Sequence, residues 1–172
     1  MTTILTRMEL LRGRAYTVRP PWSIDEQLFV ECCSRCDECI KACPTKIIER
    51  GRGGFPVLDF KKGECEFCGD CLSICKTGAI TRDTESTPAW DHKINISEKC
   101  ITYHGVVCRS CGEFCEERVI TFRPAIGGIS KPELILDQCN GCGACVAVCP
   151  VSAVTVSVEA VPQNKWLLEE RA

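Results

Sequence analysis

Short β-branched runs punctuate this chain. Residues 46–50 (KIIER), 79–82 (AITR), 119–123 (VITFR) and 153–158 (AVTVSV) are rich in isoleucine, valine and threonine, which suit a pleated, half-buried surface. Two further strand candidates, 56–60 (PVLDF) and 133–137 (ELILD), follow Gly53-Gly54 and Gly127-Gly128, and paired glycines mark turns. The pattern predicts short strands joined by turns. Helical spacing occurs near the start, where Ile4, Leu5, Met8 and Leu11 fall on one face with arginines alongside. Such a segment reads either as a terminus docked on the core or as an amphipathic helix that contacts a partner or a membrane. Residues 83–97 (DTESTPAWDHKINIS) read as a linker. The tail from about Val161, with Trp166, Leu167 and Leu168, is a candidate short helix.

The cysteines change this picture most. Sixteen of the seventeen fall into four groups of four. Three groups have the spacing C-x2-C-x2-C-x3-C: Cys33, Cys36, Cys39 and Cys43; Cys65, Cys68, Cys71 and Cys75; Cys139, Cys142, Cys145 and Cys149. The remaining group, third in chain order, is Cys100, Cys108, Cys111 and Cys115, with seven residues in its first gap. The second group recurs 74 residues later, and the last three cysteines of the first recur 72 residues later. The chain is therefore an internal duplication. Each strand candidate of the first kind follows one cysteine group, and the three residues between the last two cysteines can start a short helix. The layout predicts an α+β fold of two tandem bacterial two-[4Fe–4S] ferredoxin-like modules, at 23–82 and 98–160. A basic lead-in (1–22), the linker (83–97) and the tail (161–172) complete the expected organisation.

The spacing also names the cofactor. Cubane iron prefers soft thiolate ligands, one per iron, and this run is the bacterial ferredoxin spacing. Three closely spaced cysteines wrap one cluster, while the fourth points away and reaches the other cluster of the pair. Four [4Fe–4S] clusters with crossed ligation are therefore expected. Cluster one takes Cys33, Cys36, Cys39 and Cys75; cluster two takes Cys65, Cys68, Cys71 and Cys43. Cluster three takes Cys100, Cys108, Cys111 and Cys149; cluster four takes Cys139, Cys142, Cys145 and Cys115. Gly69, Gly112, Gly141 and Gly143 let the loop backbone approach the clusters. The third group departs twice, by its long gap and by Glu116 where Pro44 and Pro150 follow other groups. Its cluster is expected to differ in potential or stability.

Two rival readings of the cysteines are weaker. Zinc sites read as two separated Cys-x2-Cys pairs, not as four cysteines within eleven residues. A disulfide framework fits poorly with an odd cysteine count, adjacent Cys32 and Cys33, and no signal-peptide pattern. A reducing compartment is expected, and no apolar stretch approaches the ~20 residues of a membrane span. Cys32 is the spare thiol. His92 and His104 are lone histidines, and Glu113, Glu116 and Glu117 read as a solvated face. No nucleophile elbow, phosphate loop or dinucleotide fingerprint is present, so the expected role is electron transfer without catalysis.

Composition agrees. At 172 residues with only 6% aromatics, two small modules cannot build large conventional cores, and clusters would act as staples. Formal net charge is −2, and each cluster with its four thiolates adds about −2, giving roughly −10. Such a chain is a poor nucleic-acid binder.

The order of the groups, the wide gap in CITYHGVVCRSCGEFC, and the segments RPPWS (19–23), RGRGGFP (50–56), AWD (89–91), FRP followed by GI, and CNGCGACVAVCPVSAVT (139–155) resemble the NapF family. Its members are ferredoxin-type accessory proteins of periplasmic nitrate reductase systems. The resemblance implies a soluble cytoplasmic protein whose partner is the catalytic subunit of periplasmic nitrate reductase, met as its cytoplasmic precursor. The implied role is assembly or reductive maturation of that subunit's [4Fe–4S] cluster. The alternative is electron supply from a membrane-bound or soluble donor. Some relatives begin with a twin-arginine-like stretch; here the matching TRMELLRGR lacks an adjacent arginine pair.

Overall fold

The computed structural model describes residues 17–124 and 128–157. The helical spacing at Ile4–Leu11, the tail around Trp166 and the end of the 153–158 strand candidate lie outside the described residues. Within them the chain forms short helices, single 3-10 turns and three two-stranded antiparallel sheets.

In the first half, β1 (Ile48–Arg50) pairs with β2 (Pro56–Leu58), with Ile48 opposite Leu58 and Arg50 opposite Pro56. Gly53 and Gly54 make the connection with φ of 70° and 80°, which side chains disfavour. In the second half, β4 (Ile120–Pro124) pairs with β5 (Ser130–Leu134), and β3 (Lys93–Ile96) pairs with β6 (Val154–Ser157). β5 begins three residues before the expected 133–137 strand. Its C-terminal part instead turns as a 3-10 segment, Leu136–Gln138, where the Cys139 amide donates to the Leu136 carbonyl at 3.0 Å.

β3 lies within the expected linker. Its burial alternates, with Ile94 and Ile96 inward, so KINI is a half-buried strand. The counterpart of the β3–β6 pair in the first half is a single bridge, Ser23 to Ile80. The expected 79–82 strand is thus reduced to one bridge flanked by the bonds Ile24 N–H to Ala79 O and Thr81 N–H to Trp22 O. The partner segment explains the reduction: Pro20 and Pro21 have no amide donors, and Trp22 sits at φ 60°, which ends an extended ladder.

Core positions repeat with the cysteine groups. Each segment after a group carries a buried pair at or just after its start: Ile47 and Ile48, Ala79 and Ile80, Val119 and Ile120, Ala153 and Val154. α1 (Glu26–Cys32) precedes the first group. Asp25 caps it by accepting from the Gln27 amide at 3.0 Å, and its one buried residue, Phe29, is 0% exposed. Arg19 lies over the Phe29 ring at 4.9 Å, pairs with Glu26 at 2.6 Å and donates to the Pro56 carbonyl. The end of the basic lead-in is therefore packed onto the first half.

Helices α2 (Glu38–Ala42), α3 (Asp70–Ser73), α4 (Ser110–Glu113) and α5 (Ala144–Ala147) each carry the third cysteine of a group. α2 packs on α3 and α4 on α5. The halves meet through Trp90, whose ring contacts Phe60 and Phe67 edge-on and stacks on His92. Its indole N–H donates to the Asn140 carbonyl at 2.8 Å. The Cys65 amide donates to the Cys142 carbonyl at 2.9 Å.

Gly143 is the tight point of this contact. A Cβ there would lie 2.0 Å from the Phe60 ring, and its φ is +84°. Gly69 holds a similar φ of +83° with open space around it. Gly143→Ala should cost about 3 kcal/mol from overpacking plus left-handed strain, against about 1–2 kcal/mol for Gly69→Ala from strain alone. Denaturant melts of the iron-loaded variants measure the difference; equal losses would contradict the packing role.

Candidate metal centres

Four cavities gather the sixteen grouped cysteines. One of about 320 Å³ is lined by Cys33, Cys36, Cys39 and Cys75. A second, about 20 Å³, is lined by Cys43, Cys65, Cys68 and Cys71. Cys100, Cys108, Cys111 and Cys149 line a third, also about 20 Å³. The largest of the four, about 360 Å³, is lined by Cys115, Cys139, Cys142 and Cys145, and also by Cys65 and its neighbours Glu64, Glu66 and Phe67. In every case three cysteines come from one loop and the fourth is the last cysteine of the other group in the same half.

All seventeen cysteines are unpaired thiols. Among the described residues no three Cys, His, Asp or Glu side chains close on a point that could hold a single metal ion. Zinc needs its four ligands drawn tightly around one centre, whereas a four-iron cubane carries its thiolates on separate irons.

Electrostatics points the same way. Burial pushes the Cys39, Cys65 and Cys111 thiols up to about 11 and Cys71 to about 12. The nearest thiolates add to each rise: Cys33 and Cys36 on Cys39, Cys43 and Cys68 on Cys65, and Cys100, Cys108 and Cys149 on Cys111. Burial also raises Cys145, with Cys142, Cys115 and Cys139 acting in the same direction. Four thiols that oppose one another's ionisation can all be deprotonated around a compensating cationic core. This donor set fits an iron–sulfur cluster.

Comparison with known proteins agrees with this geometry. Residues 32–79 and 99–153 each match the 4Fe-4S dicluster domain family. The chain is 45% identical over 154 residues to "Ferredoxin-type protein NapF" of Escherichia coli K12, covering 87% of this chain and 93% of that one. It is 41% identical over 167 residues to the Haemophilus influenzae protein of the same name, covering 89% and 94%. The chain belongs to the NapF ferredoxin-type family. A more distant relative, "Ferredoxin-type protein NapG" of E. coli K12, is 28% identical over 88% of this chain and 74% of that one. Two dicluster segments and the grouped cysteines are consistent with four [4Fe–4S] clusters. This is an electron-transfer family, not a class of catalysts.

The segments that carry the NapF resemblance have visible jobs. In RPPWS, Arg19 clamps α1 as described. Trp22 holds the start of AWD and the residues leading into it, its amide donating to the Ala89 carbonyl at 2.9 Å and its indole to the Thr87 carbonyl at 3.1 Å. AWD itself supplies Trp90. In the wide gap of the third group, Ile101–His104 forms a 3-10 turn that ends at Gly105, φ +86°.

Sequence reasoning missed the hydroxyls that serve the sulfurs. Thr45, Thr77, Thr102 and Ser110 each stand two residues after a cysteine and lie 3.5, 3.7, 3.2 and 3.7 Å from its Sγ. The recurring Cys-x-Thr/Ser was the available signal. Backbone amides add to them: Ile80 donates to Cys75 Sγ at 3.4 Å and Ala153 to Cys149 Sγ at 3.2 Å. Burial raises Cys43 and Cys75, yet such hydrogen bonds outweigh it and both thiols end below their ordinary value. Donors to the sulfurs stabilise the more negative, reduced state and so raise a cluster's potential.

Thr102, 3% exposed, is the buried case. Thr102→Val should lower the potential of the centre at Cys100 by on the order of 50 mV, close to a tenfold change for a one-electron couple, while Thr102→Ser should hold it. A redox titration followed by electron paramagnetic resonance (EPR) reads this; an unmoved potential would contradict the role.

The remaining candidates stay structural. His104 Nε2 lies 2.9 Å from the Glu98 carbonyl. His92 is half-buried, and burial pulls its pKa down against the opposing charge of Asp91. Glu117 accepts from the Asn140 side-chain amide at 3.0 Å. Cys32 is exposed and lines none of the four cavities. No helix among the described residues is long and apolar enough to cross a membrane.

Proposed function

We propose that this chain holds four [4Fe–4S] clusters in two modules and serves a periplasmic nitrate reductase system. In this reading it acts in the cytoplasm on the catalytic-subunit precursor, in assembly or reductive activation of that subunit's cluster. The ligands are the crossed sets. Cys33, Cys36, Cys39 and Cys75 hold the first cluster, and Cys65, Cys68, Cys71 and Cys43 the second. Cys100, Cys108, Cys111 and Cys149 hold the third, and Cys139, Cys142, Cys145 and Cys115 the fourth. The modules are 23–82 and 98–160, with β3 of the joining segment completing the second.

The observation that carries this reading is the 45% identity to a NapF protein across 93% of its length. The clusters supply one-electron transfer. The protein supplies the thiolates, the hydroxyl and amide donors that set their potentials, and walls such as Phe29, Phe67 and Phe122 that limit water.

A strain lacking the gene tests the role. Its nitrate reductase catalytic subunit is purified, its iron and molybdenum are counted, and its activity is assayed with an artificial electron donor. Loss of cluster iron supports maturation. A fully loaded subunit, active with the artificial donor and failing only with its natural one, would replace maturation by electron supply. The backbone bond between Cys65 and Cys142, which joins the two modules' cysteine loops, favours that second reading.

A further inference from the structure

The packing sets an order on the four cysteine sites that differs from their order in the chain. Within the first module, α2 against α3 brings Cys39 beside Cys71, so the Cys33/36/39/75 and Cys43/65/68/71 sites adjoin. Within the second, α4 against α5 brings Cys111 beside Cys145, so the Cys100/108/111/149 and Cys115/139/142/145 sites adjoin. Between modules the contact is one-sided. The Cys65 amide donates to the Cys142 carbonyl, and Cys65 forms part of the wall of the Cys115/139/142/145 cavity. Among the described residues, the linings of the Cys33 and Cys100 sites each come from one half of the chain alone. Phe60, Phe67 and Trp90 seal this junction, with the Trp90 indole bonded to the Asn140 carbonyl two residues before Cys142.

We propose that Cys65 and Cys142 form the electronic junction between the modules, so that the four sites act as one path in the order Cys33, Cys65, Cys139, Cys100, each named by its first cysteine. Cysteines reach the surface in the first module at Cys36 of the outer site and at Cys68 of the inner one, and Val107, beside Cys108, is exposed at the far end of the second, so both ends of the path are open to a redox partner. Each transfer oxidises one site by one electron and reduces its neighbour by one, with no proton or covalent bond exchanged. The reductant is a low-potential one-electron donor, and the acceptor is a one-electron redox partner.

The inference rests on the ligand sets proposed above, and iron content tests those sets separately from the order. The double variant Cys36→Ala with Cys108→Ala removes the outer clusters. It should keep about half the iron and, fully reduced with dithionite, show an EPR spectrum broadened by interaction between the two remaining clusters. Two sharp, independent spectra would overturn the junction. Cys68→Ala with Cys142→Ala removes the inner clusters instead, and its reduced spectra should be independent; broadening there would overturn the order.

The wild-type iron-loaded protein gives a check free of ligand loss. Amide exchange around Cys65 should be at least about tenfold slower than in Trp90→Ala, which opens the junction without touching a thiolate. Equal rates would overturn the sealed contact.

Discussion

Stripped of iron under anaerobic, reducing conditions, the chain should show no cooperative thermal transition. Its sheets have two strands each, and isolated two-stranded pairs are marginal in water. Among the described residues the buried apolar side chains are mostly isoleucine, valine and alanine, with Trp22, Phe29 and Phe60 as the buried rings, a small core for two modules. The other buried positions include Cys43, Cys71, Cys111, Cys139 and Cys145, which line the cysteine cavities. In domains of this kind, metal binding free energy is folding free energy. Calorimetry of iron-loaded and iron-free protein checks this. A cooperative transition in the iron-free chain would mean that the apolar residues suffice and the clusters are passengers.

Cys43→Ala should remove the cluster of the Cys65, Cys68 and Cys71 loop and leave that of Cys33, Cys36 and Cys39. Cys43 follows α2 directly, and its thiol faces the cavity of the second group, beside Thr45 and Leu58. Cys75→Ala should do the reverse, since Cys75 lines the cavity of the first group. Each variant should lose about a quarter of the iron. Potentiometric EPR tells which centre is gone. Loss of the first loop's own cluster in Cys43→Ala would reject crossed ligation.

The cysteine spacing made the sites legible because it is local: three thiols in one tight loop, a fourth at the end of a short helix. The Gly-Gly turns and the buried pairs at Ile47–Ile48 and Val119–Ile120 were legible for the same reason, being local. What the sequence hid was set by partners far along the chain. Residues 93–96 were read with a polar linker, although KINI alternates, because pairing with residues 154–157 was invisible from local composition. The 79–82 candidate was over-read, since its partner is spoiled by two prolines and a left-handed Trp22. Gly143 lines the cavity of its own cysteine group, and its contact with Phe60 of the other module was set by a partner that local sequence does not show. α1 was missed because Leu28 and Val30 on it are exposed, leaving only the Asp25 cap as a signal.

Mössbauer spectroscopy on iron-enriched, anaerobically purified protein, with metal analysis of the same sample, tests the central claim most directly. The account predicts four [4Fe–4S] clusters per chain, all iron in cubane form and no stoichiometric zinc. Two clusters or fewer in a folded chain, or zinc in any of the four sites, would contradict it.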